Sequence, residues 1–417
     1  MRCYLPYVFV CVLVTGSLAR SLQTGKAAPA TSGKCGDNLT WSYDSTSSIL
    51  TISGTGLMYN YTSCGPWSSF DNTMRTIMVN NGVESIGNFA FAACSKVENV
   101  TMGGSIKILG SRSFYLASSL ISIKLSNSLE SIGSFAFFGA GSLKSIELPN
   151  SLLRIEQYAF NFASALTSLT IPASVSYIHE TSFRGCTSVT SFSVNKNNTY
   201  FSSIDGVLFN KNGTMIYFYP PSNSRTNYTI PANVTKIGSC AFYRTKHLNS
   251  INVESKNEYY SSRDGVLFNK DLTTLIRYPS KKMSAKYSVP GTVKTITGSS
   301  FYRGSNLESI IIQEGVTTIE NSAFCFCTKL KTISLPSSVR IIEGGIVYKC
   351  DSLSLISVNE NNPAYKSEDG VLFSKDGKTI VQYPKGKSDT HYTIPSGVTV
   401  IGDSAQQLAK HYSSIWS

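Results

Sequence analysis

Histidine is almost missing from this chain: His179, His247, His391 and His411 are the only four in 417 residues. None stands in a His-Glu-x-x-His pair or beside a Gly-x-Ser-x-Gly elbow, which removes common metal and nucleophile constellations. No glycine loop suited to cradling phosphate is present, and Gly54-Thr55-Gly56 reads as a turn. Cys325-Phe326-Cys327 is not a zinc spacing, and no His/Cys pair accompanies it. No catalytic, cofactor or metal residue is therefore expected. Charge is also scarce, with 15% Asp, Glu, Lys and Arg. Ser, Thr and Asn take that share, which suits neither an intracellular enzyme nor a disordered tail. The 37 basic residues outnumber the 25 acidic for a net +12, yet they are scattered, Lys281-Lys282 being the densest pair. No stripe for nucleic acid emerges.

Long hydrophobic runs are missing as well. The segment from Met1 to Ala19 combines Arg2, an apolar stretch from Tyr4 to Val14, and Ser17-Leu18-Ala19. That is the layout of a secretory signal, and its apolar part falls short of the roughly 20 residues a membrane span needs. No later run reaches that length, so no transmembrane helix is expected in the mature chain. Seven Asn-x-Ser/Thr sequons, at Asn38, Asn60, Asn99, Asn197, Asn212, Asn227 and Asn233, become candidate glycosylation sites in a secreted protein.

What is present is a repeat with a spacing of 23. Ile132, Ala136, Phe137, Ala140, Leu143, Ile146 and Leu148 return as Ile155, Ala159, Phe160, Ala163, Leu166, Leu169 and Ile171. A fixed apolar skeleton at a period in the twenties specifies a solenoid whose coils bury their apolar side only against neighbours. The expected fold is a β-rich solenoid with a parallel sheet on its concave face. Ordinary coils occupy 75–97, 98–120, 121–143, 144–166, 167–189, 226–248, 285–307, 308–330 and 331–353. A degenerate one at 390–412 keeps Val398 and Ile401 but has Gln406 in the phenylalanine position. Each ordinary coil opens with a short strand, such as Ser145-Ile146-Glu147-Leu148, in which alternate side chains point inward. Phe91, Phe114, Phe137, Phe160, Phe183, Phe242, Phe301 and Phe324 fall once per coil and predict a buried spine worth roughly 2–3 kcal/mol per ring.

Three longer coils, at 190–225, 249–284 and 354–389, carry Asp-Gly-Val-Leu-Phe (Asp205–Phe209, Asp264–Phe268, and Asp369 to Phe373) and end in Tyr-Pro. Asp-Gly beside alternating apolar residues signals a hairpin, so each long coil is expected to carry an extra one on its outer side. The division of the chain is then signal peptide 1–19, disordered 20–34, a capping β segment 35–74, solenoid 75–412 and tail 413–417. Cys35 and Cys64 flank the cap, and an oxidising compartment favours a disulfide between them. Cys94, Cys186, Cys327 and Cys350 occupy the column that holds Ala117, Ala140 or Ala163 elsewhere, where a reduced thiol serves as a small buried residue.

The pattern Leu-x-x-Ile-x-Leu-Pro-x-Ser-Leu-x-x-Ile-x-x-x-Ala-Phe from Leu143 to Phe160 resembles the BspA-like leucine-rich repeat family. These treponemal-type repeats occur in surface proteins of anaerobic bacteria and parasitic protists. The Asp-Gly-Val-Leu-Phe coils and the entry Cys35-Gly-Asp-Asn-Leu-Thr-Trp41 share the likeness, which spans about residues 35 to 405. It implies a right-handed leucine-rich repeat superhelix and a secreted or cell-surface antigen. Its implied partners are host extracellular-matrix proteins such as fibronectin, host cells or other microbes; it implies no catalysis. Many protist members carry a C-terminal transmembrane helix, and no such run stands here.

Outward strand positions make the candidate binding face: Thr101, Ser122, Lys124, Ser145, Glu147, Ser168, Thr170, Ser191 and Ser193, continuing through Asn227, Thr229, Ser250 and Asn252. These are small hydrogen-bonding groups without the aromatic and arginine anchors of tight interfaces. They point to weak, multivalent adhesion to host or microbial proteins or glycans. The competing expectation is a structural coat or immune-decoy antigen with no dedicated ligand.

Overall fold

Phe114 and Phe137 lie parallel to within 6°, their ring centres 5.4 Å apart. That contact belongs to a stack running Phe91, Phe114, Phe137, Phe160, Phe183 at 5.2–5.4 Å per step. All five rings are buried. Each such pair contributes roughly 0.5–1.5 kcal/mol beyond the area it buries. The computed structural model in which they lie describes residues 29–388, 392–402 and 405, and these form β-solenoid coils of about 23 residues. The segment 1–19, expected to be a signal, Gln406 and the tail 413–417 lie outside the described residues.

Two compact units divide the chain. One holds the described residues up to Asn223 together with Lys236–Tyr243; the other holds Ser224–Thr235 and the described residues from Arg244 onward. In the first, Leu39–Asp44 and Ile49–Gly54 form the expected hairpin, and Ile49–Ile52 then pairs in parallel with Thr76–Val79. Thr76–Val79 pairs with Asn99–Met102, and Asn99–Thr101 with Ser122–Lys124, each partner one repeat further on. Trp67 from the cap stacks on Phe91 at 5.1 Å and so covers the end of the aromatic column. A second parallel sheet runs along another side of the coils, through Val83–Ile86, Ile108–Leu109, Ser131–Ile132, Arg154–Ile155 and Tyr177–Ile178.

The second unit repeats the arrangement. Lys286–Val289, Ser309–Ile312, Thr332–Leu335 and Leu355–Val358 form its main parallel sheet. Tyr278 stacks on Phe301 at 5.0 Å, and Phe324 follows Phe301 at 5.1 Å with its ring tilted by 40°.

Two expectations need correction. Within the stretch 20–34 expected to be disordered, Ser32–Lys34 is an ordered strand that pairs antiparallel with Thr40–Ser42, and residues 20–28 lie outside the described residues. Ser145–Leu148 forms no ladder strand, although Ile146 stays buried. The long coils carry the expected hairpins, and in each the hairpin continues into a third strand. Phe201–Ile204, Val207–Asn210 and Met215–Phe218 form an antiparallel meander whose last strand is the coil's own second-sheet strand, parallel to Lys236–Ile237. The tyrosines of two Tyr-Pro pairs add to the aromatic packing: Tyr278 continues the column onto Phe301, and Tyr219 lies 5.6 Å from Phe242.

The Asp-Gly turns have the conformation their sequence demands. Asp205 and Gly206 sit at φ 55° and 81°, Asp264 and Gly265 at 52° and 72°, Asp369 and Gly370 at 49° and 78°. Two successive positive φ values make a type I′ turn. A Cβ on Gly265 would stand 2.5 Å from the Cβ of Ser250, so the turn also needs glycine for closeness.

Candidate interaction surface

The strand alternation that buries Val100, Ile123, Leu169 and Phe192 turns their neighbours to solvent. Thr101, Ser122, Lys124, Ser145, Glu147, Ser168, Thr170 and Ser193 are all exposed, and Ser191 is half-buried. The sequence thus brings eight of the nine face positions fully into solvent on one unit. Hydroxyls and amides on these faces bond along the stacking direction: Ser122 Oγ donates to Asn99 Oδ1 at 3.2 Å, and Ser250 Oγ to Asn227 Oδ1 at 2.7 Å. Thr332 Oγ1 does the same to Ser309 Oγ at 2.8 Å. The result is a polar ladder held at the pitch of one coil.

The ladder is not one ribbon. The strand Ser191–Val194 ends its sheet, because Phe192 N–H donates to Gly206 O at 2.9 Å. Ile251 N–H meets Gly265 O at 2.8 Å, and Ile356 N–H meets Gly370 O at 3.0 Å. In every long coil the Asp-Gly turn folds onto the main-sheet strand of that coil and closes its edge. An unpaired strand edge invites pairing with other chains.

A buried asparagine anchors each long coil, and the sequence reading missed it. Asn198 Nδ2 donates to the carbonyls of Pro172 and Val175 at 2.7 and 2.9 Å, while its Oδ1 accepts from Tyr200 N and Phe201 N. Asn257 and Asn362 repeat all four bonds. All three side chains are fully buried. A signal was there: each stands seven residues before its Asp-Gly.

All seven sequon asparagines are exposed, Asn99 and Asn227 on the polar faces themselves. Among the eight described cysteines none is bridged. The expected Cys35–Cys64 pair is not formed, because the cap folds Cys64 onto the first coil, where its Sγ lies 3.6 Å from that of Cys94. Cys35 is buried, and burial pushes its thiol up to about 11. The thiols of the small-residue column donate to a carbonyl 26 residues back, Cys186 to Phe160 O, Cys327 to Phe301 O and Cys350 to Phe324 O, at 3.0–3.1 Å. Burial raises the Cys186 thiol above its ordinary value, so it stays protonated and inert.

His179 is half-buried, and burial lowers its pKa while the carboxylates of Glu180 and Glu156 oppose that shift. Its Nδ1 accepts from Thr181 N at 3.2 Å, so the neutral ring carries its proton on Nε2. A shallow trough of about 310 Å³ crosses three coils of the second unit, between Gln313, Glu314, Ser334, Pro336, Ser357 and Asn359. The Glu314 carboxylate there is occupied by the backbone N–H groups of Ser337 and Ser338, which hold it below the usual range. The trough brings together hydrogen-bonding groups and no nucleophile–base pair. Among the described residues no helix is long and apolar enough to cross a membrane.

Comparison with known proteins agrees with this geometry. A leucine-rich repeat protein from Eubacterium ventriosum shares 20% identity over 90% of this chain and 93% of its own, with a TM-score of 0.58. A leucine-rich cell surface protein from Faecalibacterium prausnitzii gives 19% identity over 93% and 98%, with a TM-score of 0.48. The pneumococcal vaccine antigen PcpA gives 19% over 92% and 96%, with a TM-score of 0.42. Comparison with curated proteins finds no match. The family profile described as "BspA type Leucine rich repeat region" matches in six copies, over residues 66–190, 107–223, 214–285 and 280–368. With its coils, its phenylalanine column and most of its length accounted for by that profile, the chain belongs to the BspA-type leucine-rich repeat family.

Proposed function

We propose that this protein is a non-catalytic adhesin or surface antigen, secreted or held at the cell surface, that binds host or microbial proteins or glycans. The observation that carries the reading is the face from Thr101 to Ser193: exposed, polar, regularly spaced, and backed by a rigid buried stack. Such a surface offers an extended partner many modest hydrogen bonds, none decisive alone. Copies on a surface multiply that weak contact through effective concentration. Family membership supports a surface role, and the exposed sequons fit a chain that passes through a secretory route.

One observation favours the second reading, a coat or immune-decoy antigen. Ser122, Ser250 and Thr332 already donate to neighbours on the ladder, which satisfies part of the surface internally. Binding of the mature chain to immobilised fibronectin, laminin and host-cell glycans separates the two. Saturable binding that soluble ligand competes away supports the adhesin. Retention that never saturates and vanishes with salt supports a cationic coat.

A further inference from the structure

The cap meets the first coil at a point where three soft or acidic groups converge. Cys64 Sγ and Cys94 Sγ lie 3.6 Å apart. Asp71 Oδ1 lies 3.7 Å from Cys64 Sγ and 3.6 Å from Cys94 Sγ. The three come from different places: Cys64 from the loop leading to Trp67, Asp71 just beyond the short 3-10 turn Ser68–Phe70, and Cys94 from the small-residue column of the first coil. Two further bonds fix the arrangement, Gly65 N and Trp67 Nε1 both donating to Ala90 O at 3.0 and 2.9 Å. Trp67 is then wedged against Phe91.

We propose that Cys64, Asp71 and Cys94 form a binding site for a single divalent cation of the zinc type, which clamps the cap to the first coil. The spacing is the argument. With Zn–S near 2.3 Å and Zn–O near 2.0–2.2 Å, a tetrahedral ion holds two thiolates roughly 3.8 Å apart and each roughly 3.6 Å from a carboxylate oxygen. The three observed edges are 3.6, 3.6 and 3.7 Å, one face of that tetrahedron. A disulfide would bring the sulfurs to roughly 2 Å and would leave Asp71 with neither of its thiol donors. The other cysteines of the column donate to carbonyls, and among the described residues no second group of three such ligands stands this close together. Ala90 O already accepts from Gly65 N, Trp67 Nε1 and, at 3.8 Å, Cys64 Sγ, so the fourth coordination position would fall to water.

On binding a dication the two thiols would lose their protons to solvent, and two thiolates plus one carboxylate give the bound ion a −1 complex. No electron is transferred. Affinity therefore rises with pH, with two protons released per ion when both thiols start protonated.

The test uses the full mature chain purified without reductant, stripped of metal and titrated with Zn²⁺ and then Co²⁺. The proposal expects one ion per chain by elemental analysis. With Co²⁺ it expects thiolate-to-cobalt charge-transfer bands together with the visible bands of a tetrahedral ion. Cys64→Ser and Cys94→Ser abolish both. Asp71→Asn, which leaves both thiols and keeps a side chain of the same size, weakens zinc by more than the roughly tenfold that losing an outer-shell partner costs. A Cys64–Cys94 disulfide in the mapped peptides, stoichiometry far below one, or unchanged affinity in Asp71→Asn each overturns the proposal.

Discussion

Phe192 donates its backbone N–H to the carbonyl of Gly206, 2.9 Å away, and that bond ends the main sheet of the first unit. The Asp-Gly hairpin is thus an edge guard as well as an insertion. A glycine is required at its second position because the turn holds φ at 81° and passes within 3.0 Å of where its Cβ would meet Ser191. Gly265 is tighter still. Gly265→Ala should cost more than the roughly 1–2 kcal/mol of a left-handed alanine, since the methyl must also displace Ser250. Denaturant unfolding reads this, and an unchanged midpoint would refute the edge-guard geometry.

Asn198 and Asn197 are neighbours with opposite fates. Asn198→Ala strips partners from two buried carbonyls and two amide groups and should destabilise by about 3 kcal/mol or more. Asn197→Ala, at an exposed sequon, should stay within about 0.5 kcal/mol. Paired denaturation curves on unglycosylated protein check the contrast.

Phe137 sits fully buried between Phe114 and Phe160. Phe137→Ala should cost about 3–5 kcal/mol, because the rings above and below are fixed by their own coils and cannot collapse into the cavity. Thermal unfolding followed by circular dichroism measures it.

His179 sets a pH dependence. Burial lowers its folded pKa below the usual 6.5, so the unfolded chain binds the proton more readily. The stability it contributes is complete above pH 6.5 and is lost as pH falls through the folded value. His179→Gln should flatten the stability profile in that window. An equal slope in wild type and variant would remove His179 as its source.

Periodicity made much of this legible. The phenylalanine column, the thiols in the alanine column and the exposed face all recur once per coil, and a residue that does so meets the same surroundings each time. What was missed lacks that recurrence or has no hydrophobic signature. Asn198, Asn257 and Asn362 return only with the long coils, and a buried asparagine looks like a turn residue in sequence. Cys64 meets Cys94 through the docking of a non-repeating cap, which its place flanking that cap with Cys35 did not reveal. Bulky residues in the left-handed region, such as Arg112 at φ 56° and Tyr158 at 55°, carry no sequence mark at all. They are tolerated because the next coil fixes the backbone there: Arg112 N–H, for one, bonds Ser134 O.

A glycan placed on the face tests the adhesin account most directly. Ser168→Asn turns Ser168-Leu169-Thr170 into a sequon at the middle of the exposed ladder without altering any buried residue. With that site shown occupied by glycopeptide mass spectrometry, saturable binding to whichever immobilised ligand the native chain recognises should fall at least tenfold, and enzymatic removal of the sugar should restore it. Undiminished binding with the site fully occupied would contradict the account and move the working surface off this sheet.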